Sequence, residues 1–381
     1  MGSDGMKIPL AAPDVGPVER RVVLDVLESS ELSLGPQLLE FERAIARYVG
    51  VRHAVGVNSG TSGLQLIVRA LGIGPGDEVI TTPFSFIASA NCIVVEGARP
   101  VFVDVDPDTY NLDVAGIARA ITPRTKAILG VDVFGRCADW ERIEALARTH
   151  SLAVIEDSCE AIGAESRGRM AGAFGDAGCF GFYPNKQMTT GEGGMILTNR
   201  DDLAAMCRSL RNQGREDGDG WLLHARLGFN YRISDINCAL GLAQLSRLED
   251  MLARRSAVAE LYRKRLAGLE GVIPPPPVAA GRLSWFVYVV RLADRYDRAE
   301  RDRVLQGLRA AGIGCSNYFP PIHLQPFYAD RFGYRAGDFP VTERISARTV
   351  ALPFFNALTA LQVDEVVDCL ERQLRLLRDR R

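Results

Sequence analysis

No run in the 381-residue chain approaches the roughly eighteen apolar residues of a membrane span, and its first residues, MGSDGMKIPL, lack a positive segment followed by an apolar one. Excess charge of one sign is also missing. The 45 Lys and Arg stand against 47 Asp and Glu, a formal net charge of -2. No global field therefore draws in nucleic acid or anionic lipid, and a phosphate-rich ligand has to be held by a local site. Cysteine is present but unpatterned: residues 92, 137, 159, 179, 207, 238, 315 and 369 include no C-x-x-C pair, and only four histidines accompany them. Disulfide frameworks and zinc sites are disfavoured, and the thiols read as small buried hydrophobes. Together these absences point to a cytoplasmic protein with no nucleic-acid or membrane partner.

What is there reads as α/β. From about residue 37 to 200 helix-like and strand-like segments alternate, the signature of βαβ units building a mainly parallel sheet flanked by helices. The strand candidates are Glu78 to Thr81, Val101 to Val105, Lys126 to Val131, Leu152 to Ile155, Gly178 to Phe182 and Met195 to Thr198. Ser234 is placed to cap one long helix reaching about Leu269, with Leu242, Leu245, Leu248 and Leu252 at helical spacing. The Pro274 to Pro277 run stops any helix. Beyond it come a strand at Trp285 to Leu292, a helix near Arg298 to Ala311 and a closing helix from Ala360 to Arg378. The length exceeds one core, so we expect a large domain over residues 1–250 and a smaller C-terminal α+β domain over 251–381.

Three segments carry chemistry. Asn58-Ser59-Gly60-Thr61-Ser62-Gly63 opens a helix whose apolar face is Leu64, Ile67, Val68 and Leu71. Free N–H groups there can hold an anion, and a plain helix cap is the other reading. Leu152 to Asp157 is an apolar strand ending in two carboxylates, at the sheet edge where open α/β folds bind ligands. Asp157 there is placed to pair with a protonated ring nitrogen, or to act as a cap or a metal ligand. Phe180 to Met195, FGFYPNKQMTTGEGGM, sets one lysine, Lys186, among aromatic, glycine and threonine residues. A phosphate loop, an acid at a strand end and a later lysine are the three groups that pyridoxal 5'-phosphate (PLP) needs at its phosphate, ring nitrogen and aldehyde carbon.

Over essentially the whole chain the sequence resembles the DegT/DnrJ/EryC1/StrS sugar aminotransferases. The segments that carry the resemblance are NSGTSGLQL, TTPFSFIASAN, VIEDSCEAIGA, FGFYPNKQMTTGEGGM and LGFNYRISDINCALGLAQL. The resemblance implies a type I PLP-dependent (aspartate aminotransferase) fold and a homodimer with shared active sites. It implies that Lys186 carries the cofactor as an internal aldimine and Asp157 pairs with the ring nitrogen. It further implies that Phe86 stacks on the ring, that Gly60, Thr61 and Ser62 hold the phosphate, and that Asn230 reaches the phosphate bound by the partner subunit. Two positions depart from the common pattern. Gly181 stands where many members have a phosphate-binding serine, and Glu160 stands where Gln or His is frequent, close to the cofactor's O3' edge. His323, in NYFPPIHLQPF, lies in a segment that resembles one near the sugar-nucleotide site, and a proline-packed turn is its other reading.

The implied reaction moves the amino group of L-glutamate onto a C3 or C4 keto group of a nucleotide-linked deoxysugar, with pyridoxamine 5'-phosphate (PMP) as the intermediate cofactor form. Two rivals are a sugar dehydratase, which in this family has histidine at the lysine position, and a non-catalytic nucleotide-sugar-binding or regulatory protein. The presence of Lys186 and Asp157 argues against both.

Overall fold

The computed structural model describes residues 6–216, 223–278 and 280–379. Its centre is a seven-stranded sheet of His53–Val57 (β1), Glu78–Thr81 (β2), Arg99–Phe102 (β3), Thr125–Val131 (β4), Ala153–Asp157 (β5), Ala177–Gly181 (β6) and Gly194–Thr198 (β7). The spatial order is β1-β7-β6-β5-β4-β2-β3. β7 runs antiparallel to β1 and β6, and the remaining pairs are parallel. Strands covered by helices on both faces need apolar residues in succession rather than in alternation. β4 obeys this, with every residue but Lys126 buried.

The six expected strands are all present, most with ends moved by one or two residues. β1 was not anticipated. Its HAVGV run is short and contains Gly56, which weakens a strand signal. The glycine is required by packing: a Cβ there would stand 2.8 Å from Leu38 Cδ1 and 3.0 Å from Ile233 Cγ2.

The helix expected from Ser234 to Leu269 is two helices, Asp235–Ser246 and Leu248–Leu266. Ser234 does cap the first, its Oγ accepting the Asn237 N–H at 3.2 Å. The break falls at Arg247, which leaves helical geometry with φ -113° and ψ 4°. Its guanidinium there meets Glu19 at 2.5 Å and Asp14 at 3.1 Å, tying the N-terminal segment to the break.

The second helix joins two cores. Leu248, Met251 and Leu252 pack with Phe41, Phe180 and Phe182 beside the large sheet. Val258, Ala259, Tyr262 and Leu266 pack beside a second sheet of Val272–Ile273 (β8), Tyr288–Leu292 (β9) and Thr349–Leu352 (β10). This antiparallel sheet is ordered β8-β9-β10 and shares its core with helices Arg298–Ala310 and Ala360–Arg378. Ile8 enters the same core, its N–H donating to the Gly312 carbonyl at 3.1 Å.

A buried knot fixes the end of β5. Ser158 Oγ lies 2.7 Å from Asp132 Oδ2 and 2.5 Å from Glu156 Oε1, and neither carboxyl is exposed. A hydroxyl has one proton to donate, so the short contact on both sides is best satisfied when one carboxyl is itself protonated. Burial, reinforced by the Asp132 charge, pushes Glu156 well above the usual carboxylate range, and burial raises Asp132 as well, so the pair shares a proton. Glu156 also accepts the Gly172 and Phe174 N–H groups at 2.7 and 2.8 Å. Glu156→Ala leaves those two donors without a partner, so we expect a loss of about 3 kcal/mol in urea unfolding. A loss below about 1 kcal/mol would mean that the knot contributes little beyond local packing.

Candidate active site

The C-terminal ends of the parallel strands open onto a cavity of about 610 Å³. Ligands collect at this edge in open α/β sheets because the loops leaving the strands diverge there. Val131 closes β4, Asp157 closes β5 and Gly181 closes β6, and all three line the cavity together with Gly60, Thr61, Phe86, Glu160 and Lys186. Six of the expected site residues thus meet in one place, Gly60, Thr61, Phe86, Asp157, Glu160 and Lys186, with Gly181 beside them.

The helix Gly60–Ala70 supplies the anion end. Ser59 is its N-cap, with Oγ accepting the Ser62 N–H at 3.1 Å and lying 2.9 Å from Ser62 Oγ. Ser62 is therefore used by the cap and does not line the cavity, whereas Ser59 does. The N–H groups of Gly60 and Thr61, at the positive end of the helix, have no acceptor among the described residues. Close packing sets the residue types. A Cβ on Gly60 would stand 2.7 Å from Cys159 Sγ, and one on Gly194 would stand 2.7 Å from the Gly60 nitrogen. Cys159 also explains Gly181, because a Cβ there would lie 3.3 Å from Cys159 Cβ and 3.4 Å from its sulfur. A side chain at 181 would therefore fit tightly against Cys159.

Asp157 is 5% exposed and held from two sides. Ser89 Oγ donates to Oδ2 at 2.6 Å and the Cys159 N–H donates to Oδ1 at 3.1 Å. Ser85 Oγ, 2.9 Å from Ser89 Oγ, extends the chain toward Phe86. Neither serine was singled out from the sequence, although both lie in TTPFSFIASAN.

Lys186 sits on the loop between β6 and β7. Its N–H donates to the Tyr183 carbonyl at 2.9 Å and its carbonyl accepts from Arg255 Nη2 at 3.2 Å. Gln187 Nε2 pins the loop to the Glu160 carbonyl at 2.6 Å and to Ser284 Oγ at 2.8 Å. The ammonium lies 3.7 Å from Glu160 Oε1 and 4.0 Å from the centre of the Phe286 ring, a cation–π contact. Burial pushes the Glu160 carboxyl above its ordinary range, while Lys186 and the Phe134 N–H pull it down.

Phe86, 61% exposed, reaches the cavity from the loop after β2. Asn230 is exposed, bridges Asn212 and is not in the cavity wall. His323 is fully buried, with Nε2 3.0 Å from Glu343 Oε1 and its ring 4.7 Å from that of Phe339. Burial holds its imidazole below the ordinary range. The cavity wall from that segment is Ser316 to Pro320 instead, a few residues upstream. Phe286, Tyr183, Asn185 and Glu192 also line the cavity without having been singled out. Tyr183, Asn185 and Glu192 stand within the lysine motif, but Phe286 comes from the far side of the chain, where no local pattern marks it.

These features fit PLP. Unengaged helix N-terminal donors suit a phosphate, a carboxylate fixed by two donors suits a protonated ring nitrogen, and an enclosed lysine suits the aldehyde carbon. Among the described residues no cluster could hold a metal ion, and no helix is long and apolar enough to cross a membrane.

Comparison with known proteins agrees. GDP-perosamine synthase of Caulobacter vibrioides is 43% identical over 374 residues, covering 98% of this chain and 100% of that protein. The structure of DesV from S. venezuelae superposes with a TM-score of 0.87 at 37% identity, over 93% of each chain. A Streptococcus pneumoniae protein in its PMP form gives 0.93 at 27% identity, over 97% of this chain and 100% of that one. The fold is that of PLP-dependent sugar aminotransferases, as the sequence led us to expect. The profile of the DegT/DnrJ/EryC1/StrS aminotransferase family matches residues 13–371. With its lysine, acid and phosphate end assembled in one cavity, the chain belongs to that family and is a PLP-dependent aminotransferase.

Proposed function

We propose that the enzyme transfers the amino group of L-glutamate to the C3 or C4 keto group of a nucleotide-linked deoxysugar. The observation that carries this is the convergence of Lys186, Asp157, Glu160 and the Gly60–Thr61 donors on one cavity, which also has wall to spare for a sugar at Asn185, Asn317 and Tyr318. In this reading Gly60 and Thr61 hold the phosphate, Phe86 covers the ring and Asp157 holds its nitrogen protonated. Lys186 anchors the aldehyde carbon and, once released, moves the proton. When bound, the cofactor supplies an electron sink for the carbanion at the donor's Cα. The test is a panel of nucleotide-linked 3-keto and 4-keto deoxysugars with L-glutamate as donor. The relative named GDP-perosamine synthase puts GDP-linked sugars first on it. A yellow preparation that bleaches with L-glutamate and then aminates none of the panel would overturn the sugar reading alone.

The enzyme is further proposed to be a cytoplasmic homodimer in which Asn230 serves the cofactor of the opposite chain. Asn230 is exposed and outside its own cavity wall. Leu24, Leu27, Leu32, Leu34, Leu39 and Leu227 leave apolar surface for a partner copy. Eight free cysteines accord with a reducing compartment. The partition into residues 1–250 and 251–381 is proposed to run through the helix Leu248–Leu266, which joins the two cores.

Mixed dimers test the sharing. Lys186→Ala and Asn230→Leu chains are co-expressed, the second first shown to be impaired alone. One site of the heterodimer then combines an intact Lys186 with an intact Asn230 from across the interface. Purified heterodimers should exceed both parents in activity. Heterodimers no more active than the two parents would place Asn230 within its own site or outside the reaction.

A further inference from the structure

The helix Leu248–Leu266 sends a buried cation, Arg255, toward the lysine loop. Its Nη2 donates to the Lys186 carbonyl at 3.2 Å, and its Nη1 donates to the carbonyls of Phe286 and Trp285 at 3.2 and 3.4 Å. The guanidinium also lies 5.5 Å from the centre of the Phe354 ring. Among the described residues the opposing charge that acts on it is Asp14, which Arg247 and Arg254 already pair. Burial pulls its pKa down to about 10, so it stays a cation at neutral pH. A poorly compensated cation in a core is unfavourable unless hydrogen bonds that no apolar side chain can make offset it.

The three carbonyls belong to two segments that meet at the amine. Lys186 stands on the loop between β6 and β7 of the large sheet, while Trp285 and Phe286 lead into β9 of the second. Phe286 is 2% exposed, and its ring is the one that lies 4.0 Å from Lys186 Nζ. One guanidinium therefore grips the backbone of the lysine and the backbone of the ring against which its amine rests. Gln187 joins the same two segments one residue along, through Ser284 Oγ at 2.8 Å. Arg255 itself is not in the cavity wall. We propose that Arg255 is a positioning residue for Lys186, fixing the loop and the Phe286 ring together so that the amine stands where the aldehyde carbon of the cofactor can reach it. Bond formation tolerates misplacement of only a fraction of an ångström, so a loop free to shift is felt at Nζ. The planar fork of arginine spans diverging carbonyls, whereas the compact ammonium of lysine holds fewer of them.

The inference rests on Lys186 as the anchor of PLP and not on the sugar reading, and its test uses neither amino donor nor sugar. Equilibrium dialysis measures PLP affinity for the wild type, Arg255→Met, Lys186→Ala and the double variant, with thermal unfolding reporting the fold of each. Methionine fills much of the same space and leaves no charge behind. If Arg255 acts through Lys186, the Met change weakens PLP binding by about tenfold when the lysine is present and by less than about twofold when it is absent. Arg255→Lys keeps a cation for part of the carbonyl cluster and should lose less than the Met variant. It carries the same cycle should the Met variant not fold. An equal loss in both backgrounds would make Arg255 a structural link between the two sheets and overturn the proposal, as would an Arg255→Met chain that binds PLP like the wild type. Lys186→Ala binding PLP as tightly as the wild type would instead remove the anchor assignment, and this proposal with it.

Discussion

Lys186→Ala is expected to lower steady-state amino transfer by ~10⁴-fold or more, the upper range for removing a positioned acid–base group, while PLP still enters the cavity without a covalent bond. Two losses combine. In the proposed reading the anchor disappears, and so does the amine that would move the proton once the donor has displaced it. What remains is the noncovalent hold of the Gly60 and Thr61 N–H groups and of Asp157, none of which touches the lysine in the structure. Lys186→Arg should be equally inactive, since a guanidinium does not give up its proton in a protein. Steady-state assays with L-glutamate, together with dialysis followed by absorbance, check both halves. Activity within tenfold of the wild type in the alanine variant would end the assignment of Lys186.

Much of this site was legible because its groups lie in short local motifs. Asp157 ends an apolar strand, Gly60 and Thr61 open a helix, and Lys186 sits in a glycine- and threonine-rich loop. In each case neighbours in sequence are neighbours in space. The parallel sheet was legible for a similar reason, since β4 and β5 must be apolar in succession to lie between helices. β1 was missed because its glycine answers to Leu38 and Ile233 rather than to the strand. The single long helix was misread because periodic leucines carry on across Arg247, whose break is set by Asp14 and Glu19 more than two hundred residues earlier. Phe286 and Ser316–Pro320 reach the cavity only through the second sheet, by contacts that no local spacing encodes. His323 lies in the right segment, yet its place against Glu343 depends on a helix twenty residues on.

Asp157→Asn is expected to slow the glutamate half-reaction by ~10³-fold, the upper range for deleting one preorganised electrostatic contact, with little change in fold. In the proposed reading the carboxylate would keep a proton on the ring nitrogen by charge and by hydrogen bond, and that proton would let the ring draw electrons from Cα. An amide of the same shape can still accept from Ser89 Oγ or the Cys159 N–H, the donors now at 2.6 and 3.1 Å, so the strand end should hold. It carries no charge, however, and so cannot keep the nitrogen protonated. Stopped-flow absorbance with L-glutamate alone isolates this step from the sugar, and thermal unfolding reports whether the fold has moved. Ser89→Ala supplies the intermediate case. It removes one of the two donors that orient Asp157 but leaves the charge, so its half-reaction should fall by only about tenfold. Rates for Asp157→Asn within threefold of the wild type, in a protein that unfolds normally, would assign Asp157 to the cap of β5 and not to the ring nitrogen.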